Sequence, residues 1–89
     1  MEFEWDPVKA AANLEKHRIS FREATFIFDD PFALRANDRK HSTKKEVRYV
    51  QIGETLGAVL VVIFTIRMRN KKEVWRIISA RRASRRERA

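Results

Sequence analysis

The chain has 89 residues, of which 44% are hydrophobic and 36% charged, with a net charge of +8. That is one small domain over residues 1–89 with enough apolar material for a single core, which excludes a two-domain enzyme and a disordered chain. Cysteine is absent, which excludes a disulfide framework and thiolate metal sites and fits a reducing compartment, with the cytoplasm as the default.

In chain order, Met1 to Trp5 alternates apolar and acidic residues, the pattern of a short edge strand with Phe3 and Trp5 inward. Asp6-Pro7 supplies an N-cap oxygen and a first-turn proline, so a helix is expected from here to about His17, with Val8, Ala11, Ala12 and Glu15 on one thin stripe. Ser20-Phe21-Arg22-Glu23 fits a capping box and opens a second helix. Phe21, Ala24, Thr25 and Phe28 form its packing stripe, and Asp29-Asp30-Pro31 ends it. Phe32 to Lys45 is polar without a sustained period and reads as a long loop, a length that is uncommon unless functional or mobile.

Glu46 to Ile52 alternates, with Arg48, Val50 and Ile52 on one face and Val47, Tyr49 and Gln51 on the other. Gly53 to Gly57 is expected to turn. Val59 to Ile66 is apolar on both faces, the mark of a central strand. Asn70-Lys71-Lys72 makes the next turn, and Val74 to Ala80 is the last strand of an antiparallel meander. Ser84 to Glu87 is a second capping-box match, for a helix that is at most a stub. The order β-α-α-β-β-β-(short α) predicts an α+β fold of two layers, an antiparallel sheet with two helices on one face.

The longest apolar run, Ala58 to Ile66, falls short of the roughly 20 residues a bilayer helix needs, so no membrane span is expected. The charge is unevenly placed. Residues 1 to 66 hold ten Lys/Arg against ten Asp/Glu, whereas residues 67 to 89 hold ten Lys/Arg against Glu73 and Glu87. A positive field so concentrated attracts polyanions, nucleic acid above all; a solvated basic tail is the plainer alternative.

Gly53 and Gly57 are the only glycines, too few for a P-loop or a dinucleotide fingerprint. Two histidines and no cysteine make a transition-metal site improbable, and no cofactor is implied. The remaining reactive groups, His17, His41, Glu46, Tyr49 and a large set of arginines, suit metal-independent RNA cleavage. There the ribose 2′-OH attacks the adjacent phosphate, a base and an acid move protons, and cations stabilise the charged phosphorus. Arginine fits because its planar fork binds two phosphate oxygens and stays charged.

Taken together, Phe3-Glu4-Trp5-Asp6-Pro7, Asn13 with Lys16-His17, Ser20 to Ala24, Phe28 to Pro31, His41-Ser42, Glu46-x-Arg48 and Arg76 to Arg81 resemble the BrnT toxin family across nearly the whole chain. The resemblance implies a RelE-like ribonuclease fold and RNA cleavage that inhibits translation. It also implies a toxin dimer within a hetero-oligomeric complex and a cognate BrnA-like antitoxin that contacts DNA. Family members usually have glycine after Lys-His and continue the last helix further. Here Arg18 stands in the first place, where a left-handed backbone would be strained, and only Ala89 follows Glu87-Arg88.

His17 closes the first helix, where the dipole favours a cation, or serves as general acid or base. His41 is exposed and inert, or becomes a second proton carrier if its loop folds over RNA. Glu46 and Arg48, about 7 Å apart along one face, bracket a phosphate or simply pair. Arg67, Arg76 and Arg81 are expected to converge with Arg48 on the sheet surface to stabilise phosphate charge. Lys16, His41, Arg82, Arg85 and Arg86 form a diffuse RNA-binding track. Trp5, Trp75 and Tyr49 stack on bases or, more simply, pack in the core. The leading expectation is an endoribonuclease in which His17 or Glu46 handles protons; a basic RNA- or DNA-binding module that regulates by occupancy and a subunit that docks an acidic partner are the alternatives.

Overall fold

A computed structural model describes residues 1–88. The elements are β1 (Glu2–Trp5), α1 (Pro7–His17), α2 (Phe21–Thr25) running into a 3-10 turn (Phe26–Asp29), β2 (Leu34–Asn37), β3 (Arg48–Thr55), β4 (Ala58–Arg69), β5 (Lys72–Arg82) and α3 (Arg85–Arg88). They build a five-stranded sheet in the order β1-β5-β4-β3-β2. The apolar β4 therefore takes the centre. Any continuation of α3 past Arg88 lies outside the described residues.

Two-residue turns set the meander. Leu56 and Gly57 have φ of 49° and 78°, and Asn70 and Lys71 have φ of 52° and 66°, the left-handed pairs that match the twist of hairpin strands. The first turn is thus shorter than the glycines suggest, and Gly53 lies inside β3. A Cβ there would stand 3.0 Å from the Ile27 Cβ and 3.1 Å from its carbonyl oxygen, so the missing side chain lets the 3-10 turn lie directly on the strand.

The sheet departs from the expected antiparallel one in two ways. β1 runs parallel to β5, from Glu2 opposite Val74 to Trp5 opposite Ile77, because everything between them acts as one long crossover. Within the stretch read as a loop, β2 pairs antiparallel with β3. All four of its residues are exposed, so burial imposes no alternation that a pattern search could find.

Ile19, Phe21, Ala24 and Ile27 pack with Leu60, Val62, Phe64, Trp75, Ile77 and Ala80 in one core. Phe64 and Trp75 stack with centroids 5.1 Å apart, Tyr49 stacks on Phe64 at 5.5 Å, and Trp5 meets Phe21 edge-on. Trp75 is buried in this packing, and Trp5 and Tyr49 are half-buried in it. Arg35 caps the stack, its guanidinium 4.7 Å from the Trp75 ring centroid.

α1 does not use the stripe its sequence offers. Val8 is 76% exposed, and Ala10, Asn13 and His17 face inward instead. The reason is hydrogen bonding. The Asn13 side chain donates to the carbonyls of Ala80 (2.8 Å) and Ile19 (3.0 Å) and accepts from the Ala80 N–H (3.1 Å). β1 stops pairing at Ile77, so the amide takes the place of a strand at the next stretch of β5. Arg18 does adopt the left-handed conformation, φ 61°, and its N–H donates to the Leu14 carbonyl to close the helix. The glycine-like exit is kept despite the side chain.

Candidate active site

Strand alternation sends Tyr49, Gln51, Phe64 and Trp75 to the helix side and leaves a second face. On it, register aligns Glu4, Arg76, Thr65 and Arg48 in one row across β1, β5, β4 and β3. Arg67 stands two residues further along β4. Arg48 and Arg76 flank the central Thr65, two strand spacings or about 10 Å apart at their backbones. Thr65 is buried and donates its hydroxyl to the Val47 carbonyl at 2.8 Å, fixing the segment that leads into β3.

Two carboxylates organise the arginines. Glu46 accepts from Arg48 Nε through Oε1 and from Arg67 Nη2 through Oε2, each at 3.0 Å. Glu4 accepts from Arg69 Nε (2.6 Å) and Nη2 (2.9 Å) and from Arg76 Nη1 (2.6 Å). The hydrogen bonds from Arg48 and Arg67 hold the Glu46 carboxyl below its ordinary value. Those from Arg69 and Arg76 lower Glu4 from 4.5 to about 2. Both acids are ionised at neutral pH. Four guanidiniums against two carboxylates leave a surplus of two positive charges, which suits a phosphodiester.

Among the described residues, Arg48 donates only through Nε, Arg67 through one Nη2 and Arg76 through one Nη1. Guanidinium has five N–H donors, so each retains most of its fork for a ligand. A cleft of about 300 Å³ opens beside them, lined by Lys45, Glu46, Val47, Tyr49 and Arg67 among others. A larger hollow of about 440 Å³ lies at the far end of β3 between Asp29, Asp30, Phe32 and Leu56, and its acidic lining repels phosphate.

The arginines expected to gather do so in part. Arg48, Arg67 and Arg76 share one end of the second face. Arg81 is on that face too, but it pairs with Val61, four residues along β4 from Thr65 and about 13 Å away. Both Nη atoms of Arg81 grip Glu87, at 2.7 and 2.8 Å. Glu87 also accepts from the Ser84 N–H at 2.8 Å, so the second capping box forms and carries the Arg81 pair with it. Arg82, Arg85 and Arg86 are exposed at that same far end.

His17 is not brought to the arginines. With Lys16 it lines a separate cleft of about 240 Å³ that includes Lys9, Asn13, Ile78 and Ser79. His41 is exposed in the turn before β3, where its Nδ1 lies 2.8 Å from Asp38 Oδ2. Sequence reasoning passed over Glu4, Asp38 and Arg69. Glu4 was legible only as an outward glutamate, since its partners come from strand pairing 65 or more positions away. Asp38 sat in a segment without periodicity.

A family model described as the ribonuclease toxin, BrnT, of type II toxin-antitoxin systems matches residues 5–87. The chain belongs to that family. No curated protein matches it. The BrnT match covers every arginine of the cluster as well as Glu46, and leaves only Glu4 of the site outside. Membership makes RNA the substrate class and a cognate antitoxin the partner. No helix among the described residues is long and apolar enough to cross a membrane.

Proposed function

We propose that the chain is a metal-independent endoribonuclease that blocks translation by cutting RNA at the arginine end of the second sheet face. The observation that carries this reading is the pairing of Glu46 with both Arg48 and Arg67, with Arg76 across Thr65. Cations already held in place by carboxylates need little reorganisation as charge builds on phosphorus, the condition under which electrostatic stabilisation is strongest. Hydrogen bonds from Arg48 and Arg67 hold the Glu46 carboxyl below its ordinary value and occupy both of its oxygens. Its role is to hold two guanidiniums in position.

Other parts of the reading follow from it. The mixed sheet with helices on one side is a variant of the RelE-like layout. An antitoxin of the BrnA kind neutralises the toxin by covering the arginine face and supplies the contact with DNA, while two toxin copies enter the complex. Arg82, Arg85 and Arg86, exposed beyond β5, extend the field along which a long RNA is drawn in.

The test is incubation of the purified protein with end-labelled single-stranded RNA in EDTA. Fragments ending in 2′,3′-cyclic phosphate, lost in Arg48→Ala, are expected. Intact RNA retained in a salt-sensitive manner would instead identify a non-catalytic RNA- or DNA-binding module. Intact RNA that is not retained at low salt would point to a protein-docking subunit.

A further inference from the structure

With Glu46 committed to arginines and His17 on another cleft, the proposed reaction lacks a proton acceptor beside the cluster. We propose that His41, oriented by Asp38, is that base; this rests on the ribonuclease reading above. The segment that carries it is built, not loose. The Asp38 N–H donates to the Arg48 carbonyl at 2.8 Å, which extends the β2–β3 ladder by one pair past Asn37 and Tyr49. By alternation from Ala36, Asp38 takes the same face as Arg48. Ser42 then ties the turn to both strands, since its hydroxyl donates to the Asp38 carbonyl at 2.6 Å and accepts from the Arg48 N–H at 2.8 Å. Thr43 and Glu46 close the rest, through Thr43 N–H to the Glu46 carbonyl (2.8 Å) and Glu46 N–H to Thr43 Oγ1 (3.0 Å).

The result is a carboxylate and an imidazole in fixed relation. The Asp38 side chain is 13% exposed and that of His41 56%, so the acid is sheltered while the ring meets solvent. A carboxylate only accepts, so the His41 nitrogen facing it, Nδ1, carries the hydrogen, and Nε2 is left with its lone pair for substrate. The same logic orients histidine bases in hydrolases of unrelated folds. Arg48 stands directly opposite Asp38 in the ladder, so the carboxylate that orients His41 is one strand spacing, at the backbone, from an arginine of the cluster.

The step balances without a co-reactant beyond water. His41 Nε2 takes the proton of the 2′-OH as that oxygen bonds to phosphorus, and the bond from phosphorus to the 5′-oxygen breaks. The departing oxygen takes a proton from water, and the imidazolium returns its proton to the hydroxide so formed. The products are a 2′,3′-cyclic phosphate and a 5′-hydroxyl. The charged groups around the turn are Asp38, Arg39, Lys40, Lys44, Lys45 and Glu46, with Arg48 from β3 and Arg67 from β4.

The experiment measures kcat and KM on single-stranded RNA in EDTA from pH 5 to 9 for the wild type, His41→Ala, Asp38→Asn, His17→Ala and Arg48→Ala. His41→Ala is expected to lose kcat by about 10²–10⁴-fold with KM within threefold, to lose the acidic limb of the pH profile, and to regain rate with added imidazole. Asp38→Asn should lower kcat by about tenfold and move that limb, a displacement that mere loosening of the turn would not produce. His17→Ala should stay within threefold of wild type. If His41→Ala keeps its rate while Arg48→Ala loses it, the dyad is wrong and the ribonuclease reading stands. Loss of activity with a lowered melting temperature and no imidazole rescue also rejects the dyad. A wild type that leaves RNA intact overturns both.

Discussion

The two ends of the second sheet face hold the same chemistry in different states. At the end of Arg48, Arg67 and Arg76, each carboxylate is shared between two arginines, and every one of those three guanidiniums uses a single nitrogen. At the end of Arg81, one carboxylate takes both Nη atoms of one arginine and is itself locked into a helix cap. A shared carboxylate positions its arginines and leaves their donors open. An exclusive one takes both Nη atoms of its partner and leaves that fork fewer open donors. Counting arginines on a surface is therefore a poor guide to function; counting unspent donors is a better one.

The sharpest test of that contrast sets Arg48→Ala against Arg81→Ala. The first should lower RNA cleavage by at least about 100-fold, the scale of losing a preorganised charge-stabilising donor. The second should leave cleavage within threefold and reduce unfolding free energy, read by denaturant titration, by about 1 kcal/mol or less, as for other exposed ion pairs. Equal losses of cleavage would erase the distinction.

The carboxylates should part in the same way. Glu46→Gln is expected to cut cleavage by about tenfold, through loosened Arg48 and Arg67, with little change in melting temperature. Glu87→Gln should lower the melting temperature by a few degrees, about what 1 kcal/mol amounts to in a domain of this size, and spare cleavage.

Acid titration addresses both ends at once. The hydrogen bonds from Arg69 and Arg76 at Glu4, and from Arg81 at Glu87, lower each carboxyl from 4.5 to about 2. A depressed native value means the unfolded chain binds the extra proton first. Stability from these groups is whole above about pH 4.5 and drains away as pH falls toward about 2. Denaturant midpoints measured across that window should drop in the wild type and drop less in Glu4→Gln and in Glu87→Gln.

The smallest effect expected is a gain. Arg18→Gly removes a left-handed arginine that takes no part in the ion pairs of either end and should stabilise by about 0.5–1 kcal/mol without altering cleavage per molecule. It separates stability from the charge contrast altogether.

Local signals in the chain were readable because their causes are local. Asp6-Pro7 starts α1, Ser20 and Glu23 close their capping box, and the apolar run of β4 finds the sheet centre. What escaped depends on pairing between distant segments. The parallel docking of β1 on β5 makes Glu4 an arginine clamp, yet nothing within Phe3-Glu4-Trp5 says which strand it will meet. β2 was hidden because an exposed edge strand needs no burial pattern. The dyad of Asp38 and His41 was hidden with it, since the turn exists only once Asp38 has a ladder partner. Arg81 is a mixed case: strict alternation from Arg76 would send it to the opposite face, the register shift between Ile63 and Phe64 returns it to the same one, and the distance along the strand and its pairing with Glu87 set it apart.

The parallel contact of the first strand with the last governs when this molecule can become dangerous during its own synthesis. Residues near the start must wait for those past position 74 before the sheet closes, and Asn13 waits longer still for Ala80. A nascent chain on the ribosome, or a fragment released early, has neither a finished sheet nor an assembled cluster of cations. With activity seated in the proposed arginine cluster, cleavage must await the pairing of β5, which leaves the producing cell the time of elongation in which an inhibitor can be made ready.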